Sequence, residues 1–128
     1  MNYAYTKKID FSYLEALDEV RLAFIEKWFW VVSSIDIWEK IRKKSDPKFL
    51  EYTVLWVCNP DLAHKFLTTK MDLGVFMPCS IAIYEKNGWV YVSVWLPNWM
   101  MPSNINSKEL LDLSNKITKD IKLAIESI

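Results

Sequence analysis

Few side chains in this chain could make or break bonds at neutral pH. There are two cysteines, Cys58 and Cys79, and a single histidine, His64. Cys58 stands directly before Asn59-Pro60-Asp61, which reads as a helix cap, a proline at the first helical position and an early carboxylate. The positive end of such a helix favours a thiolate at Cys58, and Asn59 with the N–H groups after it could hold an anion. Taken together, Cys58, Cys79 and His64 could be an attacking or persulfide-carrying thiol, a resolving thiol and a base, or else three metal ligands. Their spacing matches no closed zinc motif and no fourth ligand is evident, so no metal is expected. Cysteine is also among the most buried residue types, and two inert packing thiols remain an open alternative. There is no Gly-rich phosphate loop, no nucleophile elbow and no convincing carboxylate pair. No catalytic residue or cofactor is therefore assigned, and a non-enzymatic role is expected.

The elements that must position these residues follow from periodicity. Tyr3–Ile9 alternates and reads as a strand. Ser12 with Glu15 forms a capping-box pattern, and Leu14, Leu17, Val20, Phe24 and Trp28 then fall on one helical stripe. Phe29–Ile37 reads as a strand, and Trp38–Ser45 as a short helix stopped by Asp46-Pro47. Tyr52–Cys58 is a strand, and the Asn59-Pro60 helix runs to about Thr68. Leu73–Tyr84 reads as extended, bent or edge-placed at Pro78, and Trp89–Trp95 as its return strand. Ser107 caps a last helix with Leu110, Leu113, Ile117, Ile121, Ala124 and Ile128 on one stripe. The order β-α-β-(α)-β-α-β-β-α implies one α+β domain over residues 1–128. It would be a two-layer sandwich, with helices on one face of a mostly antiparallel sheet of about five strands. The unit after Cys58 could supply one parallel crossover.

Composition agrees with a packed core. The 128 residues are 52% hydrophobic, and sixteen Lys+Arg balance sixteen Asp+Glu. A neutral chain lacks the basic field of a phosphate-binding protein, so no nucleic-acid partner is expected. The basic run Lys40, Arg42, Lys43, Lys44 and Lys48 reads as a solvated helix face, offset by Asp36, Glu39, Asp46 and Glu51. No apolar run approaches the roughly 20 residues of a membrane span, and no leader is evident. A cytoplasmic protein with reduced thiols is expected.

The most informative pair of residues is Asn87-Gly88, because a two-residue turn needing positive φ fixes the register of the hairpin around it. Counting outward, Cys79, Ile81, Ile83, Val90, Val92, Val94 and Leu96 share one face, suited to packing under helices. Ser80, Ala82, Tyr84, Trp89, Tyr91, Ser93 and Trp95 share the other. Four aromatics at one surface with little charge suggest an interface or groove. Tyr84, Trp89, Tyr91, Ser93 and Trp95 would meet a second copy in a homodimer, or line a pocket for a small apolar or planar ligand. Cys58, Asn59 and Pro60 would form the polar rim of that pocket. The competing reading is that the chain's own segment Asn98–Asn106 covers those rings.

Two segments carry a resemblance. The run Cys58-Asn59-Pro60-Asp61-Leu62-Ala63-His64-Lys65, followed by Leu73-Gly74-Val75-Phe76-Met77-Pro78-Cys79 and the hairpin, is similar to the prokaryotic family called domain of unknown function 302. The likeness covers about Tyr13 to Met101. It implies a two-layer α+β sandwich that is usually dimeric, and it implies no reaction, because none is established for the family. Where the family tends to carry an acid before a proline after the return strand, this chain has Leu96-Pro97, so a polar site built on that acid would be weakened here. The function expected is a small binding or interaction protein, homodimeric through the aromatic face. The alternative is a thiol-based sulfur carrier or redox protein using Cys58 with Cys79 and His64.

Overall fold

A computed structural model describes residues 3–77, 79–97 and 107–128. It contains strands β1 (Ala4–Ile9), β2 (Trp30–Asp36), β3 (Tyr52–Cys58), β4 (Cys79–Lys86) and β5 (Trp89–Trp95). The helices are α1 (Tyr13–Ile25), α2 (Ile37–Lys44), α3 (Pro60–Thr69) and α4 (Lys108–Glu126). The five strands form one sheet in the order β1-β5-β4-β3-β2, and every pairing is antiparallel. The architecture is the expected α+β sandwich. The parallel crossover after Cys58 does not form, because β4 returns beside β3 in the opposite direction.

Local signals explain most of the elements. Ser12 Oγ accepts from the Glu15 N–H at 3.2 Å while the Glu15 carboxylate accepts from the Ser12 N–H at 3.2 Å, so α1 opens with a full capping box. At the hairpin, Asn87 and Gly88 take φ of 53° and 80°, and the ladder runs from Lys86–Trp89 to Ile81–Val94 in the register counted from the sequence. Two expectations need correcting. Leu73–Phe76, the start of the Leu73–Tyr84 segment read as extended, belong instead to a 3-10 helix over Met71–Phe76, since Leu73 turns inward to a buried site; Pro78 lies outside the described residues. The stripe on α1 is also rotated. Tyr13, Ala16, Val20, Ala23 and Phe24 are buried, while Leu14 is 72% exposed and Trp28 lies beyond the helix. The small side chains of Ala16 and Ala23 let α1 approach its neighbours closely, and a reading weighted by side-chain size passes over them.

The core lies between the helices and one face of the sheet. Leu55, Val57, Ile81, Ile83, Val92 and Val94 from the strands meet Val20 and Phe24 of α1, Leu62 and Phe66 of α3, and Leu110, Ile121 and Ile125 of α4. Helix α2 contributes no buried residue. Among the described residues, no helix is long and apolar enough to cross a membrane.

Candidate functional site

The two regions singled out in the sequence lie mostly on opposite sides of the sheet layer, and they meet at Trp95, which lines the same cavity as Cys58, Asn59 and Cys79. On the helix side, the Cys58 end of β3 runs into α3. Asn59 Oδ1 accepts from the Leu62 N–H at 3.2 Å, with Pro60 in the first turn and Asp61 behind it. The cap is thus filled by the chain itself, and Asp61 already supplies the anion that the helix end would attract. Below it lies a cavity of about 60 Å³ lined by Phe29, Val57, Cys58, Leu62, Phe66 and Cys79 among others. Its walls are nearly all apolar, and it is far below the roughly 300 Å³ at which small-molecule pockets begin.

Both cysteines border this cavity, and both are free. Cys79 pairs with Val57 and so shares its helix-side face, whereas Cys58, the next residue along β3, starts on the other side of the pleat. Burial decides their chemistry. It pushes the Cys79 thiol up to about 12, with Cys58 as a second cause, and it raises Cys58 as well. Burial thus works against the thiolate expected at Cys58. His64 is exposed on α3 and is not among the residues lining the cavity, so the three candidate groups do not converge. Among the described residues, no group of three or more His, Cys, Asp or Glu side chains could hold a metal ion.

The other side of the sheet is different in kind. Tyr84, Trp89, Tyr91, Ser93 and Trp95 do share a face, and the pairings extend it in both directions. Ala4, Thr6 and Lys8 join from β1, Tyr52, Val54 and Trp56 from β3, and Trp30 from the edge strand β2. None of these side chains is buried, whereas Thr53, Leu55, Val57, Ile81, Ile83, Val90, Val92 and Val94 on the helix side of the three central strands are. Tyr52, Tyr84 and Tyr91 stack across three strands, with ring centroids 5.1 and 5.9 Å apart and planes within 12° and 17°. Phe49 continues the row at 6.3 Å from Tyr52. The ring faces of Tyr84 are thus taken up by its neighbours. Its hydroxyl shares a hydrogen bond with Ser93 Oγ at 2.7 Å, and Ser93 shares another with Thr6 Oγ1 at 2.8 Å. Lys8 Nζ sits 3.8 Å from the Trp89 ring centre, a cation–π contact.

Sequence reasoning missed Tyr52, Trp56 and the β1 residues of this face. The alternation Tyr52-Val54-Trp56 was a usable signal for β3. Nothing local could have told that β1 lies beside β5. The expectation that Asn98–Asn106 covers these rings lies outside the described residues.

The chain is thus a two-layer α+β sandwich with helices on one face of its sheet and an aromatic ladder on the other. The model of the family described as domain of unknown function DUF302 matches residues 5–128, and the chain belongs to that family. The fold is also that of a crystal structure of an uncharacterized conserved DUF302 protein from Bacillus stearothermophilus. The two are 21% identical, with a TM-score of 0.90 over 98% of each chain. No curated protein matches the chain.

Proposed function

We propose that this chain is a non-catalytic binding protein that pairs with a second copy of itself through the aromatic face of the sheet. The carrying observation is the contrast between the two faces: helices bury one, and no side chain on the other is buried. Tyrosines already stacked on one another present a rigid surface whose side-chain entropy is spent before a partner arrives, which lowers the cost of association. Five strands about 4.8 Å apart, each about seven residues at about 3.3 Å, make a face of roughly 550 Å². Two copies would bury roughly 1,100 Å², just above the lower bound of about 1,000 Å² for a biological interface. Lys8 and Lys86 are the only formal charges at the strand positions of this face, so an apolar contact is favoured over a nucleic acid.

The sulfur-carrier reading has less support, since burial raises both thiols and His64 lies apart. A cytoplasmic setting fits two free cysteines. Sedimentation equilibrium tests the proposal. Wild-type protein should run at twice 15.2 kDa at micromolar concentration, and Tyr91→Glu should run as a folded monomer. A monomeric wild type, or a Tyr91→Glu variant that still pairs, would overturn it.

A further inference from the structure

Three sulfur-bearing residues meet at the cavity below α3: Cys58, Cys79 and Met77 all line it. The strand register brings the two cysteines together. Cys79 pairs with Val57, so Cys58 is the next residue along the facing strand. A cross-strand separation of about 5 Å and a rise of about 3.4 Å put their Cα atoms roughly 6 Å apart. Cys79 also feels Cys58 as a charge, the second cause of its raised pKa. Met77 packs against the same core as Cys79, two residues before it.

The rest of the wall decides what such a set could take. Among the described residues, no carboxylate or imidazole lines the cavity, and the side-chain oxygen of Asn59 is occupied by the Leu62 N–H. A hard cation would find no oxygen shell there, and zinc would lack the four thiolate, imidazole or carboxylate ligands it takes. Cu(I) is different, because it is soft and selects thiolate and thioether sulfur. About 60 Å³ is room for an ion and too little for an organic ligand. Burial opposes two bare thiolates, but a monovalent cation between them leaves a single net charge, and coordination deprotonates a thiol outright. Neither cysteine is fully buried, which leaves a route of entry.

We propose that Cys58, Cys79 and Met77 form a Cu(I) site, with the two thiolates as principal ligands and the thioether as the third. Binding breaks two S–H bonds, forms two Cu–S bonds and releases two protons to solvent, and no electron is transferred. His64 has no part in it, since it is exposed on α3 and away from the cavity. Trp95 borders the site and also belongs to the aromatic face. All three ligands nevertheless come from one chain, so the ion should bind Tyr91→Glu as it binds the wild type.

The test is anaerobic competition of the whole reduced protein against the bicinchoninate complex of Cu(I), read from the loss of its colour. One ion withdrawn per chain is expected, with Zn(II) held at least about a hundredfold more weakly. Cys58→Ser and Cys79→Ala should each weaken Cu(I) by about a hundredfold or more, and Met77→Leu, which conserves volume, by about tenfold. Circular dichroism checks that each variant is folded; if Cys79→Ala is not, Cys58→Ser and Met77→Leu decide the question. X-ray absorption of the loaded protein should show sulfur neighbours alone. The proposal is overturned by a failure to withdraw Cu(I), by Zn(II) held as tightly, or by a folded Cys58→Ser that binds like wild type. Nitrogen or oxygen at the copper, loss of binding in Tyr91→Glu, or oxidation of the cysteine pair to a disulfide in place of binding would overturn it equally.

Discussion

Cys79 keeps its proton well into the alkaline range, because burial and then Cys58 push its pKa up to about 12 from 9.0. The unfolded chain releases this proton first as pH rises, so the stability associated with the protonated thiol is whole below pH 9 and is lost as pH climbs toward 12. Tyr13 and Tyr52, both raised mainly by burial, add the same sign above about pH 10. Thermal melts across this window should show a falling Tm, and Cys79→Ala should flatten its lower part. Neither thiol should react with a disulfide reagent faster than free cysteine at pH 7; a fast Cys58 would restore the sulfur-carrier reading. Thr53 offers a second residue-level test. It is buried, bonds the Tyr13 hydroxyl, and donates to Asp36 at 3.0 Å. Thr53→Val leaves the Tyr13 hydroxyl without that partner and should cost about 1–3 kcal/mol in denaturant melts. Much of that loss should return in the double variant with Tyr13→Phe, since the stranded group is then gone.

At the level of elements, α4 owes its C-terminal end to a side chain from the far end of the sequence. Lys7 Nζ donates to the Ile128 carbonyl at 2.7 Å and to the Glu126 and Ile125 carbonyls at 3.3 and 3.4 Å, and it brings positive charge to the negative end of the helix. Lys7→Met should lower stability by about 0.5–2 kcal/mol, read from thermal unfolding followed by helical ellipticity. This link was not legible in the sequence, because Lys7 and the last helix are separated by nearly the whole chain. What was legible had a local cause: the capping box at Ser12, the Asn59-Pro60 start and the hairpin register set by Asn87-Gly88. The 3-10 helix at Met71–Phe76 was not, since an apolar run with one glycine carries no period to distinguish it from a strand. The raised thiol at Cys58 has a similar origin: spacing places it at a helix start, but the burial that opposes its ionisation comes from tertiary packing.

For the whole molecule, the aromatic face sets the expected solution behaviour. Lys8 and Lys86 would bring like charges together when two such faces meet, so added salt should tighten rather than loosen the pairing. Sedimentation at low and at about 0.5 M NaCl checks this, and dissociation on adding salt would mean that ion pairs hold the contact instead. The strand order has one more consequence. β2 through β5 follow one another as neighbours, whereas β1 reaches its place beside β5 only after some eighty intervening residues have been laid down. The meander can therefore assemble early, and β1 is a clasp that closes late, fastening the sheet edge through Thr6 and the final helix through Lys7 at once. Amide protons of β1 should exchange sooner than those of β4, and each opening would loosen the helix at the opposite end of the sequence along with the strand.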